Sequence, residues 1–188
     1  MVRTALALGF LAVAGCGHAI PDMTIHATTP RQTIVAPPDQ AVFVVFHGGR
    51  DSTNVLLFSA DGTPICQVPH QSHCMMALTP GHYRVYVTWD RVFQDAIDLD
   101  VVAGRTYYAT LAMGWSFVDE KLTPSMPGWE RLAEYMQGQE VGIDPSQIPA
   151  LRLELHDHED LVEEADRRME HYDERHLEAH TIHPDDGV

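Results

Sequence analysis

The chain has 188 residues, room for one domain of ordinary size or one domain with an extension. Hydrophobic residues make up 45% and charged residues 21%, which excludes wholesale disorder. The balance of 12 Lys+Arg against 27 Asp+Glu, a formal net charge of −15, sets the chain against phosphate backbones and excludes nucleic-acid binding.

Arg3 supplies a short positive start, and residues 4–14 form an apolar run of about 11 residues. As a helix that run measures roughly 16 Å, too short for the ~30 Å hydrocarbon core. It ends in Val13, Ala14, Gly15 and Cys16, a series that resembles the lipobox of bacterial lipoproteins. The resemblance implies a lipoprotein signal peptide over 1–15 and a diacylglycerol on the Cys16 sulfur. It also implies attachment to the membrane through that lipid, and Gly17 implies outer-membrane sorting facing the periplasm. The competing reading is an ordinary secretory signal with an incidental cysteine.

Residues 16–31 are polar, proline-containing and without period, the pattern of a tether. From residue 32 the text is β. Residues 41–46 (Ala-Val-Phe-Val-Val-Phe) are β-branched and aromatic, and 54–59 form a second apolar run before the turn signal Asp61-Gly62. Short strands at 65–68 and 73–78 carry Cys66 and Cys74. Residues 82–89 and 96–102 then alternate, with Tyr83, Val85, Val87 and Trp89 on one face of the first and Ile97, Leu99 and Val101 on one face of the second. Ala103-Gly104 turns the chain into 105–113. About seven short strands with regular turns and no helix between them predict a mainly β fold, an antiparallel β-sandwich over 32–114 with C-terminal helical additions.

This stretch is similar to the small β-sandwich domains of bacterial lipoproteins and of PEGA-type domains. The residues that carry the likeness are 41–46, Asp61-Gly62-Thr63, Leu78-Thr79-Pro80-Gly81-His82-Tyr83 and Val102-Ala103-Gly104-Arg105-Thr106-Tyr107-Tyr108. The resemblance implies a fold and no catalytic residues. His47-Gly48-Gly49-Arg50 and the cysteine pair depart from its pattern.

Residues 115–155 read as an irregular and helical linker region. Trp129, Leu132, Ala133 and Met136 form a helical stripe, and the alternation at 151–155 reads as a final strand. From Asp157 the period is helical, with Leu161, Val162, Ala165, Met169, Tyr172 and His176 on one face and Pro184 as the stop. The acidic, histidine-rich end at 156–188 reads as a helix and tail, and 150–188 holds 13 acids against 4 arginines.

With Cys16 lipidated, Cys66 and Cys74 remain as an even pair eight residues apart, which in an oxidising compartment predicts a disulfide. Closing so short a loop contributes roughly 2–3 kcal/mol in the chain-entropy account. His156, His158, His171, His176, His180 and His183 are candidate ligands for Zn, Ni or Cu, with His176 and His180 at helical i,i+4 spacing. The favoured reading of that end is a solvated acidic interaction helix, and metal buffering is its alternative. His70, His73 and His82 flank the cysteines and could gather with His47 at one end of the sandwich.

No catalytic serine elbow or phosphate-cradling glycine loop is present, so neither a catalytic residue nor a cofactor is expected. The functional expectation is a non-enzymatic binding or structural module in the envelope, with a protein partner there.

Overall fold

The structure, a computed structural model, describes residues 25–26, 34–48, 55–89, 91–112, 118–126, 129, 132, 139–142, 146 and 148–188. The expected signal peptide, Cys16, most of the tether and most of the helix at 129–137 lie outside these residues. No described helix is long and apolar enough to cross a membrane.

Two sheets make up the fold. The six-stranded sheet has the order β1-β10-β5-β2-β8-β9, from β1 (Ile25–His26), β10 (Gln139–Val141), β5 (Ser72–Leu78), β2 (Ala41–His47), β8 (Thr106–Ala112) and β9 (Val118–Lys121). The five-stranded sheet has the order β11-β7-β6-β3-β4, from β11 (Thr181–Ile182), β7 (Phe93–Val101), β6 (Gly81–Trp89), β3 (Val55–Phe58) and β4 (Pro64–Val68). Their facing sides share one core. Ala41, Phe43 and Val45 of β2, with Tyr107, Ala109 and Leu111 of β8, meet Leu57, Val85, Val87, Ile97 and Leu99 of the other sheet.

The mainly β expectation holds, and the antiparallel one needs correction. Hairpin neighbours β3/β4 and β6/β7 are antiparallel, but β2/β8, β5/β10 and β7/β11 are parallel. Parallel neighbours need long crossovers rather than tight turns. Here each crossover runs through other strands or helices, so both sheets are mixed. The six-stranded sheet also draws β9 and β10 from the region read as linker, and β1 from within the tether.

Both outer faces are covered by the chain itself. Val42, Val44, Phe46 and Tyr108 on the six-stranded sheet lie under Ile34, Ala36 and Leu122, with Trp129 and Leu132 packed beside them. Leu56, Phe58, Tyr86 and Ala96 on the other sheet lie under α1 (Ile148–Glu154) and α2 (His158–His171) through Leu151, Leu155, Leu161, Ala165 and Met169. The strand expected at 151–155 is therefore helix α1. Leu151 and Leu155 are buried while Leu153 is 69% exposed, so the burial period is four rather than two. Pro149 sits in the first turn, where its missing N–H costs nothing.

The histidine-rich end is built into the fold rather than extended from it. Helix α2 stops at Tyr172, whose backbone is extended, and Asp173 caps α3 (Glu174–Ala179) by accepting from the His176 N–H at 2.9 Å. Strand β11 then pairs with Asp98 and Leu99 of β7. Farther on, Thr106 and Val188 exchange two backbone hydrogen bonds of 2.9 and 3.0 Å. One C-terminal segment thus bonds to both sheets and closes a seam between them.

Candidate functional site

Two groups of titratable side chains stand apart from the surface, one at an end of the sandwich and one under the C-terminal segment. The first is built by β2, β4 and β5. His47 continues the inward parity of Phe43 and Val45 and is 1% exposed. Its Nδ1 lies 3.1 Å from the Val68 carbonyl, to which it donates, since a carbonyl only accepts. The His70 ring stands edge-on to His47, centroids 5.8 Å apart. The turn between β4 and β5 that carries His70 is held by Gln71, at φ 57°, whose N–H donates to the His47 carbonyl at 3.0 Å.

His73 has the opposite parity. Its ring packs on Phe46 at 5.7 Å, on the outer side of the six-stranded sheet. It is fully buried, and burial lowers its pKa against the opposing charge of Glu140 on β10. His82 lies at the far end of β6 beside Asp100, with an exposed side chain. Of the four histidines expected to gather, only His47 and His70 meet. Period-two geometry puts His73 on the other face, and the length of β6 carries His82 away.

The expected Cys66–Cys74 disulfide is not formed. Both sulfurs are buried thiols in the core between the sheets, one on β4 and one on β5. Burial, and then the neighbouring Cys74, push the Cys66 thiol well up, so it is held in its protonated form. The chain changes sheets between the two cysteines, β4 lying in the five-stranded sheet and β5 in the six-stranded one.

The second group surrounds Asp95, which is fully buried. Asp95 Oδ1 accepts from the Ala96 N–H at 2.8 Å, and Oδ2 accepts from the Tyr172 hydroxyl at 2.8 Å. The His180 Nε2 lies 3.3 Å from Oδ2, and its Nδ1 donates to the His176 carbonyl at 2.8 Å. The Tyr172 ring packs on His180 at a tilt, centroids 4.9 Å apart. The cluster joins α2, α3 and β7, so its evident work is to dock the C-terminal segment. Nearby, the Lys121 ammonium reaches Glu178 at 2.5 Å and Asp186 at 3.0 Å. That bond and one from His183 hold the Glu178 carboxyl below its usual range.

The six C-terminal histidines are not brought together. His156, His158 and His171 each turn Nδ1 to a carbonyl of their own helical stretch, at Leu153, Leu155 and Arg167. His176 faces Asp173, His180 is buried against Asp95, and His183 reaches Glu178 at 3.2 Å. The break at Tyr172 separates the first three from the last three. Among the described residues, no three His, Cys, Asp or Glu side chains are grouped to hold a metal ion.

Sequence reasoning missed Asp95 and Lys121, and each had a signal. Asp95 stands in phase with Ile97, Leu99 and Val101 on the inward side of β7, where an acid needs a buried partner. Lys121 is the single lysine of a chain with 27 acids. No family model, curated protein or solved structure matches the chain.

Proposed function

We propose that the chain is a lipid-anchored cell-envelope protein whose folded domain serves as a non-enzymatic binding or structural module, carried on the outer membrane facing the periplasm. The observation that carries this reading is the run at 4–14 that ends in Val13, Ala14, Gly15 and Cys16. The described titratable clusters support it from the other side. His47 is bound to a carbonyl, the two thiols are buried, and Asp95, Tyr172 and His180 are spent on docking helices. A PEGA-like role for the sandwich, with an envelope protein as partner, belongs to the same proposal. So does oxidation of Cys66 and Cys74 to a bond between the sheets in an oxidising compartment. The metal-buffering alternative loses ground because its six histidines are separately engaged.

The test is fractionation of a Cys16→Ser variant in the native envelope. The wild-type chain is expected to stay with membranes through a high-salt wash and to enter the detergent phase. The variant is expected in the soluble fraction. A variant that still pellets after the wash overturns lipid anchoring.

A further inference from the structure

Cys66 and Cys74 point into one core from strands of different sheets, and each stands two residues inside the strand end that meets the β4–β5 turn. They are 2% and 1% exposed, and the Cys66 thiol lies within hydrogen-bonding reach of Cys74. A bond between the sulfurs therefore asks for a local shift of two side chains and no new path for either strand.

What closes over the pair comes from far along the chain. β10 lies beside β5 with Val141 paired to Cys74, and the Cys66 thiol faces the Val141 carbonyl at 3.9 Å. That strand begins 65 positions after Cys74. The two cysteines need only their own short turn to meet, a closure on the order of 10–100 ns for a loop of about that length. Pairing β10 with β5 closes a far longer loop and comes later.

Thiol–disulfide exchange proceeds through a mixed disulfide, so the sulfur of an outside reagent must reach the sulfur of the chain. With both sulfurs in the core between the sheets, that approach waits for the sandwich to open. Opening core strands costs close to the whole stability of a domain.

We propose that Cys66 and Cys74 record the redox condition in which the chain folds: the pair is fixed as dithiol or disulfide before β10 closes over it, and does not exchange afterwards. The proposal rests on the reading that the pair is oxidised in an oxidising compartment, and adds when this happens. In the emerging chain one thiolate attacks the disulfide of a thiol–disulfide carrier, and the second displaces the carrier from the mixed disulfide. Two thiols of the chain become one S–S bond, and the carrier disulfide becomes a dithiol that takes up the two protons. The product has its sheets tied covalently at the β4–β5 corner, and Cys66 no longer has a proton to share with the Val141 carbonyl. One sequence thus yields two long-lived forms, and only one of them carries the tie.

The test uses the full chain with Cys16→Ser, so that Cys66 and Cys74 are its only cysteines and lipid anchoring has no bearing on the result. The folded dithiol is incubated with oxidised glutathione beside the same chain held unfolded in urea. Thiols are counted by alkylation in denaturant and mass spectrometry. The folded chain is expected to lose its thiols at least ~100-fold more slowly than the unfolded one. A chain refolded from urea in a glutathione redox buffer is expected to carry the bond. Once folded, it keeps that bond against excess reduced glutathione at least ~100-fold longer than it does in urea. A smaller difference in either arm overturns the proposal and leaves oxidation of the pair standing. A chain that refolds in the redox buffer with both thiols free overturns the two together.

Discussion

Asp61 shows how one side chain can fix a turn. It follows β3, accepts from the Ser59 hydroxyl at 2.5 Å and the Thr63 N–H at 3.0 Å, and precedes Gly62 at φ 73°. The Ser59 hydroxyl, then Thr63, hold its carboxyl down at about 2, from an ordinary 3.8. A carboxyl whose folded pKa is depressed contributes stability above its unfolded pKa and loses it as pH falls through the folded one. The wild-type unfolding midpoint is therefore expected to drop between about pH 4 and pH 2. The difference from Asp61→Asn should shrink over the same window, which chemical denaturation at stepped pH would read. A gap between the two proteins that stays constant from pH 5 to pH 2 removes Asp61 from the account. The turn itself was legible, because Asp-Gly names its own backbone. The second demand on Gly62 was not, since a Cβ there would stand 2.6 Å from the His158 ring of a distant helix. The sites divide in the same way. His47 and His70 were nameable from local order, but the Asp95–His180 contact joins residues 85 positions apart, and only the odd acid in an apolar phase hinted at it.

At the scale of elements, the alternating apolar runs were legible as strands because burial on one face imposes a period of two. Segment 151–155 misled because five residues with leucine at every second place satisfy both periods. The fold decides through what lies above them: Leu151 and Leu155 reach the sheet while Leu153 faces out. Leu155→Ala is expected to destabilise the protein by about 2–4 kcal/mol, and Leu153→Ala by less than about 0.5 kcal/mol. Urea unfolding of both variants measures the contrast. Equal losses would mean that the segment packs as a strand after all. Partner choice between strands was the illegible part. Nothing local in 106–112 distinguishes a parallel place beside β2 from an antiparallel one, because the crossover that decides it lies outside the strand.

Over the whole molecule, the C-terminal segment bonds to an edge of one sheet at Thr181–Ile182 and to the other at Val188, with Lys121 beneath it. Arg105 adds donors to the Pro184 and Gly187 carbonyls. Lys121 has a side chain only 9% exposed and serves two acids, so Lys121→Met leaves Glu178 and Asp186 without their cation. A loss of about 1–3 kcal/mol is expected, together with faster proteolysis confined to the C-terminal segment. Limited digestion followed by mass spectrometry would locate the cuts. Protection equal to wild type would show that the backbone bonds alone hold the seam.

That seam also bears on how fast the protein can reach its native state. Thr106 waits for Val188, β7 waits for β11, and β1 finds its neighbour only when β10 has been made. Pairings between such distant residues incur their loop-closure entropy before any contact rewards it, and they slow folding accordingly. While the chain emerges, the free sides of β5, β7 and β8 stay open as templates for strands of other molecules. A chain of this topology gains from a holding chaperone until β10 and β11 arrive, because each closes the open side of a strand made well before it.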